Sequence, residues 1–361
     1  MGNSKRIAFR IVITLNNNSA TVVPECHNLK YKFSRNHTDK LEITGDTITI
    51  SGSRSGKPNF DEIFTNNQSE VYFQVIKSYI YYCVANGNIF KILKIECHNN
   101  DDAIDKVYSG DEIRNLNVSN NAPNIRKINK AKAAIIFEAT PESNKYLYAM
   151  STLIRSLCSD DNNDIFEKIW KSYNSIYRVI SNEKQEVECL NEMGREIISN
   201  PANYPLSVNA AQAISGNDIS DSTRWWRMLE NKFIIRGNKK TRENNFSTFL
   251  TQYQDFRLNE VSQRNVDIEK NFWTNSNLKT TTINDIANKI NNNQRNDAEV
   301  VDAICNHYAY FLRNKTLHGD QTDHSFRFIP YNKEEKTLKF TSNILFLLVC
   351  DLINSHTLQT S

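Results

Sequence analysis

The sequence has no long hydrophobic run and little excess charge. Its strongest apolar stretch, ILFLLVCDLI (344–353), is ten residues long and contains Asp351, which excludes an ordinary membrane span of about 20 apolar residues. The start, MGNSKRIAFRIVITL, lacks a small-residue cleavage site and has Arg6 where myristoylation needs Ser or Thr, so neither modification is expected. A net charge of +3 means that any nucleic-acid binding must come from a local patch.

The seven cysteines are odd in number and show no C-x-x-C spacing. This pattern is typical of reduced core residues in a cytoplasmic protein. Two dipeptides, Cys26-His27 and Cys97-His98, raise the alternative of a zinc site. Adjacent residues on an extended chain point to opposite faces, so each pair would offer one ligand, and strand-end packing is the preferred interpretation. No metal and no cofactor is expected.

A chain of 361 residues predicts two domains. Residues 6–97 are rich in Ile, Val, Tyr and Phe, with breaks at NNNS, TGD and SGSRSGKPN, and Asn86-Gly87 in VANGNIF fits a tight hairpin turn. These features predict an antiparallel β-rich barrel or sandwich over residues 1–113. The polar, Asn-rich segment 114–132, which holds Pro123, is predicted to be a linker.

The hydrophobic period then becomes helical, which makes the expected fold class α+β with an all-α domain over residues 133–361. Helices are predicted at 144–157, at 164–180 with Asp164 as N-cap, at 297–314 with Asp297 as N-cap, and at 341–356. The last is apolar nearly all round, so it belongs at the centre of a bundle that we expect to self-associate. The poorly patterned stretch from about 199 to 290 is predicted to be an insertion.

The segment FLRNKTLHGD carries an arginine, a polar neighbour and a histidine at the end of the third helix: Arg313, Asn314 and His318. Of five Arg-Asn pairs in the chain, this one alone has a histidine at that offset. Together with FEKIWKSYNSIYRV on an earlier helix, the segment resembles the HEPN superfamily, whose hallmark is R-x(4–6)-H, commonly with a polar residue after the arginine. The resemblance covers roughly 140–200 and 290–361. With a β-rich front domain, the arrangement is most similar to the ApeA-type abortive-infection proteins.

The chemistry of these side chains suits RNA cleavage through the 2′-hydroxyl. His318 titrates near neutral pH and can move protons, Arg313 can hold phosphate oxygens, and Asn314 can orient His318 or bind phosphate. The resemblance implies a metal-independent endoribonuclease of a prokaryotic anti-phage defence system. It also implies a homodimer that brings two motifs into one cleft, and a front domain that receives a phage-derived or nucleotide trigger.

A basic segment, RWWRMLENKFIIRGNKKTR (224–242), lies in the predicted insertion, where seven basic residues face only Glu230. Cations can bind phosphates while indoles stack on bases. We therefore predict that RNA is bound by Lys315 and by a group in this segment: Arg224, Trp226, Arg227, Lys239 and Lys240. Alternatively, Trp225 and Phe233 anchor the insertion and the basic face is merely solvated. Trp226 is the indole expected to be exposed.

Three alternatives stay open. Arg313 and His318 can be basic residues that only interact with the dipole at a helix C-terminus, where Gly319 ends the helix. The bundle can be a catalytically silent module that binds RNA or protein. The insertion and HGDQTDH can together form a metal-dependent nuclease, through His318, Asp320, Asp323 and His324, although this spacing matches no metal motif. Asp320 also stands where some HEPN toxins carry a tyrosine that is modified, so that form of control is not expected.

Overall fold

The structure, a computed structural model, describes residues 6–17, 24–31, 37–99, 103–119, 125–181, 185–234, 238–317 and 333–358. The chain divides into two compact units. The first comprises Met1–Asp160 and Ile353–Ser361, and the second comprises Asp161–Leu352. The division after Asp160 differs from the expected boundaries at residues 113 and 133.

The first unit contains one antiparallel sheet of six strands in the order β2-β3-β4-β1-β5-β6. The strands are β1 Ile7–Leu15, β2 Glu25–Lys30, β3 Thr38–Thr44, β4 Thr47–Arg54, β5 Ile92–Asn99 and β6 Ile104–Ser109. Alternate residues of the central pair are buried, with Ile11 opposite Ile50 and Ile13 opposite Ile48. Gly45, at φ 60°, makes the turn between β3 and β4.

A helix takes the place of the second sheet that a barrel or sandwich would need. Helices α1 Phe60–Thr65 and α2 Glu70–Asn86 follow β4. Helix α2 contacts β4, and its side chains reach the strand ends: Gln74 Nε2 donates to the Lys30 carbonyl at 3.2 Å and the Tyr82 hydroxyl to the Gly45 carbonyl at 2.9 Å. The predicted α+β class is confirmed, but among the described residues the β part is a single sheet.

The hairpin predicted around Asn86-Gly87 is wrong. Residues 70–86 form α2, which Ser69 caps, and Gly87 ends it in the left-handed conformation at φ 67°. The Gly87 N–H donates to the Val84 carbonyl and the Asn88 N–H to the Cys83 carbonyl, both at 3.1 Å. The sequence misleads because α2 is apolar on several faces and uses the Val, Ile and Tyr that favour strands.

The segment expected to be a linker lies inside the first unit. Asn115 accepts from the Ile92 N–H at 2.7 Å and donates to the Ile92 carbonyl at 3.0 Å. Farther along, the Asn129 N–H donates to Asn354 Oδ1 at 2.7 Å, while Asn354 Nδ2 donates to the Lys127 carbonyl at 2.8 Å. Helices α3 Lys130–Ala133 and α4 Pro141–Ser156 complete this unit. The C-terminal residues are therefore tied to the predicted linker.

The second unit is helical. All four predicted helices are found: the first is α4 of the first unit, the third is divided into three parts, and the fourth begins earlier than predicted. The region from 199 to 290 also folds into helices. In chain order the helices are α5 Asn162–Ser181, α6 Glu186–Ser199, α7 Pro205–Ala211, α8 Gly216–Ser222, α9 Trp225–Leu229, a π-helical turn Glu230–Ile234, α10 Lys239–Thr251, α11 Phe256–Asn265, α12 Ser276–Asn292, α13 Asp297–Asp302, a second π-helical turn Ala303–Tyr308, α14 Ala309–Leu317 and α15 Lys333–Ser355. Asn296, rather than Asp297, caps α13.

Helix α15 carries the longest apolar run of the sequence, residues 344–353. By length and composition it is the one described helix that could cross a membrane, but 72% of its apolar stretch is buried inside the protein. Its single buried carboxylate, Asp351, accepts from the Leu206 and Ser207 N–H groups at 3.0 and 2.8 Å and from the Ser207 hydroxyl at 2.7 Å. The charge within the apolar run thus holds the first turn of α7.

Candidate functional site

The helix that carries Arg313 is interrupted by a π-helical turn. Residues Ala303–Tyr308 form this turn between α13 and α14, and the Tyr308 hydroxyl accepts from the Arg224 N–H at 2.6 Å. Such turns are rare and occur often at functional sites. Helix α14 ends at Leu317, and His318, the next residue in the sequence, lies outside the described residues, as do Asp320, Asp323 and His324.

Arg313, Asn314 and Lys315 line one cavity of about 570 Å³. Its walls come from α6, α9, α14 and both π-helical turns. The described lining contains three cationic residues and no carboxylate: Lys232, Arg313 and Lys315. Apolar and amide side chains complete it, with Leu190, Met228, Tyr310 and Phe311 beside Asn191, Asn231, Asn306 and Asn314. The cavity therefore suits an anionic ligand that also presents apolar surface and hydrogen-bonding groups.

Arg313 is held from two sides. Its Nη1 donates to Asn314 Oδ1 at 2.9 Å and lies 3.6 Å from Glu186 Oε2. Glu186 in turn accepts from the Tyr177 hydroxyl at 3.1 Å and lies 3.7 Å from Arg178. A quarter of the Arg313 side chain is exposed, 25%, so the guanidinium is anchored yet still reachable from the cavity.

A second group of polar residues stands behind His307. Asp302 is buried and accepts from Asn306 Nδ2 at 2.7 Å and from the Tyr253 hydroxyl at 2.6 Å. His307 Nε2 lies 3.8 Å from Asp302 Oδ2. The Tyr173 hydroxyl donates to Asn306 Oδ1, which fixes the amide that holds Asp302. This network joins α5, α13 and the π-helical turn.

Burial lowers the pKa of His307 to about 4; Asp302 opposes the change and Lys232 adds to it. The ring packs edge-on against Phe249, with centroids 5.3 Å apart. The Lys232 ammonium lies over the same Phe249 ring, 4.8 Å from its centroid, and desolvation lowers the lysine pKa although the residue as a whole is exposed. His307 is therefore neutral at neutral pH, beside a lysine whose proton is more acidic than usual.

The residues predicted to bind RNA separate into two groups. Lys315 lines the cavity, whereas the described cavity wall does not include the other five: Arg224, Trp226, Arg227, Lys239 and Lys240. Trp226 is 45% exposed, as expected, and the Arg227 guanidinium covers its ring at 4.7 Å. Lys239 and Lys240 are exposed at the start of α10, and Arg224 is half-buried.

The neighbouring tryptophan has the anchoring role that the alternative interpretation gave it. Trp225 is buried and stacks on Tyr308, with centroids 6.0 Å apart, and Phe233 is buried against Phe249 at 5.3 Å. The segment 224–234 thus combines both interpretations: one indole fixes it to the second unit, and the next points outward with a cation stacked on it.

His307 and Lys232 were not singled out by the sequence as site residues. Residues six apart on a regular α-helix point about 240° apart, so His307 and Arg313 should face different directions. The π-helical turn inserts a residue and changes this register, which brings both to one cavity. A π-helical turn has no clear sequence signature. The one feature of the sequence that could have indicated this site residue is His307 itself, a histidine on an otherwise apolar helix.

His27 and Cys97, one from each Cys-His dipeptide, pack inside the first unit, whereas Cys26 is exposed. The His27 ring lies between Tyr81 and Phe137, at 4.9 and 5.0 Å, and its Nε2 is 3.3 Å from Glu25 Oε2. Cys97 is buried in β5. In the part of the chain that the structure describes, no group of three His, Cys, Asp or Glu side chains could hold a metal ion.

Comparison with known protein families, with characterised proteins and with solved structures finds no match for this chain. The residues of the cavity and the motif that continues from it in the sequence are therefore the features that bear on function.

Proposed function

We propose that the second unit is a metal-independent endoribonuclease of the HEPN type. The observation that carries the proposal is the position of Arg313 and Asn314: they line a cationic cavity in the last two turns of α14, directly before His318 in the sequence. The alternative of a helix end dressed with basic groups accounts for the residue types. That alternative does not explain why Arg313 shares a cavity with Lys232 and Lys315, or why the described wall of this cavity contains no carboxylate.

The proposed reaction uses the nucleophile that RNA itself carries. The 2′-hydroxyl attacks the neighbouring phosphorus, the bond to the 5′-oxygen breaks, and the products end in a 2′,3′-cyclic phosphate and a 5′-hydroxyl. Arg313 stabilises the charge on the phosphate oxygens, because its planar guanidinium pairs well with them. His318 supplies proton transfer, and Asn314 keeps Arg313 aligned through the 2.9 Å hydrogen bond.

The biological role that fits this reaction is an effector of prokaryotic anti-phage abortive infection. We propose that the protein acts in the cytoplasm as a homodimer, and that the first unit receives a phage-derived or nucleotide trigger. Arrest by RNA cleavage explains why such an effector needs a separate controlling unit.

The test compares wild type with His318→Ala and Arg313→Ala on a defined single-stranded RNA and on total RNA after overexpression. Each variant should lose activity on the order of 100-fold or more. Arg195→Ala is the matched control, because Arg195 is an exposed α6 arginine outside the described cavity wall. Equal cleavage by His318→Ala would overturn the assignment. Activity that disappears in EDTA and returns with a divalent ion would favour the metal-dependent alternative.

A second candidate, a silent RNA-binding module, is favoured by one observation. Trp226 and Arg227 form an exposed stacked pair outside the described cavity wall, and base stacking with cations binds single strands without cleavage. Wild type that binds RNA but leaves it intact at every trigger and salt condition, with binding lost in Trp226→Ala, would select this candidate.

A further inference from the structure

The carboxylate of Asp302 is built into the second unit with little room to move. A Cβ at Gly194 would lie 2.2 Å from Asp302 Oδ1, so α6 accepts the carboxylate because this position is glycine. Two neutral donors, Asn306 and Tyr253, hold the two oxygens at 2.7 and 2.6 Å. The carboxylate thus keeps its place beside the imidazole of His307.

The imidazole has one side toward this carboxylate and also borders the cavity of Arg313. His307 lines the cavity wall, while 16% of its side chain is exposed. A histidine buried only for packing needs no carboxylate behind it and no cavity in front. A cavity-facing histidine with a fixed carboxylate behind it, here 3.8 Å from the ring nitrogen, is an arrangement that suits general-base catalysis.

We propose that His307 is a proton acceptor in the cavity of Arg313 and that Asp302 positions it. This inference rests on the proposed ribonuclease reaction and adds to it a residue outside the R-x(4–6)-H motif. In that reaction the proton of the attacking 2′-hydroxyl moves to a ring nitrogen of His307. The 2′-oxygen bonds to phosphorus, and the leaving 5′-oxygen takes its proton from His318. Both histidines then return to their starting states by exchange with water.

The assignment holds whether His318 comes from the same chain or from a two-fold mate. Each chain supplies one motif histidine, whereas cleavage needs both a base and an acid, and His307 adds a second proton-transfer group to the same chain. Neutral His307 is ready to accept a proton at neutral pH, and the negative charge of Asp302 stabilises the imidazolium that results.

Two charged groups shift the pKa of His307 in opposite directions, so the proposed role of His307 as a base can be tested through the pH dependence of cleavage. Asp302 raises its pKa and Lys232 lowers it. Phe249, near the end of α10, and Tyr253, just after that helix, face the His307 ring. The Tyr253 hydroxyl donates its hydrogen bond to Asp302. The α6 residues of the cavity wall, Val187, Leu190 and Asn191, carry no charge, and Arg313 adds a cation from α14.

The experiment measures kcat/KM for a defined single-stranded RNA against pH for the full chain. His307→Gln should lose about 100-fold or more. In wild type, kcat/KM should fall on the acid side of the profile with an apparent pKa below the ordinary histidine value of about 6.5, and this fall is the acid limb. Lys232→Met should move this limb to higher pH, and Asp302→Asn should move it to lower pH, each by about half a unit or more. Lys270→Met, which removes the same charge at an exposed site off the described cavity wall, should leave it in place.

Lys232→Met keeps the test valid if changes at the buried positions prevent folding, because Lys232 is exposed. Two results would overturn the role of His307 and leave the ribonuclease proposal standing, provided that wild type cleaves RNA. One is that Lys232→Met does not move the acid limb of the pH profile, and the other is that His307→Gln is as active as wild type. If wild type cleaves no RNA, or if Arg313→Ala and His318→Ala cleave as wild type does, both proposals fall together.

Discussion

Arg313 and Glu186 form an ion pair between the end of α14 and the first turn of α6, with Nη1 3.6 Å from Oε2. Glu186 is itself held by the Tyr177 hydroxyl. The pair constrains a guanidinium that would otherwise have many rotamers, and it leaves a quarter of that side chain exposed. An anchored but accessible arginine is what phosphate binding in the cavity would need.

Removal of the Glu186 charge should therefore reduce cleavage without abolishing it. We expect Glu186→Gln to lower kcat by about 3–10-fold, because a partly exposed pair contributes roughly 1 kcal/mol and the guanidinium keeps its own charge. Glu188→Gln is the matched control, an exposed glutamate two residues along the same helix. Steady-state kinetics on a defined RNA measures the effect. A loss as large as that of Arg313→Ala would instead make Glu186 a direct participant.

A buried charge cluster should govern the stability of the second unit. Arg257 is 1% exposed; it pairs with Asp255 and Asp297, each at 2.7 Å, and donates to the Ala211 and Ile214 carbonyls at 2.8 Å. Arg257→Met would leave the buried Asp255 carboxylate without its counter-ion and would remove the guanidinium bonds to two carbonyls. We expect a loss of about 3–5 kcal/mol in the free energy of unfolding.

Urea denaturation followed by circular dichroism measures this loss. The control is Arg264→Met on the same helix, whose guanidinium contacts Ser220 and Asn217 at the surface and should contribute less than about 1 kcal/mol. Equal stability of the Arg257 and Arg264 variants would show that the cluster is not a determinant of the fold.

The stability of the second unit should also depend on His307 below neutral pH. The pKa of His307 falls from 6.5 to about 4 on folding, so the unfolded chain binds the proton more readily. The stability from this group is complete above pH 6.5, declines as the pH falls, and is lost by about pH 4, a change of up to roughly 3 kcal/mol. The difference in urea midpoint between wild type and His307→Gln should change over this range. A difference that is constant from pH 7 to 4 would contradict the depressed pKa.

The helices with one clear apolar stripe were predictable from the sequence. The stripes of α4 and α5 follow the helical period, and the bounds predicted from them lie within a few residues of those observed. Helix α2 was missed because its apolar residues surround it and its residue types favour strands. The division after Asp160 was missed because tertiary hydrogen bonds, such as that from the Asn129 N–H to Asn354, tie a polar segment into the first unit.

The candidate site was predictable only where its residues are adjacent in the chain. Arg313, Asn314 and Lys315 follow one another, and a motif records them. Lys232 and His307 come from segments more than 70 residues apart, and each stands on a π-helical turn. Their approach to one cavity depends on backbone geometry that hydrophobic periodicity does not encode.

The dimer that the HEPN resemblance implies leads to the last prediction. If the competent cleft needs Arg313 and His318 from both chains, a dimer of one wild-type and one inactive chain should cleave no RNA. With random pairing and an inactive mixed dimer, an equal mixture of wild type and His318→Ala leaves about a quarter of the dimers fully wild type. Specific activity should then fall to about a quarter, whereas independent chains would retain about half. An equal mixture with Arg195→Ala should keep full activity, since that arginine is exposed outside the described cavity wall. A monomer by light scattering at the assay concentration, with activity that falls only by dilution, would remove the dimer from the mechanism and leave each chain to supply its own acid and base.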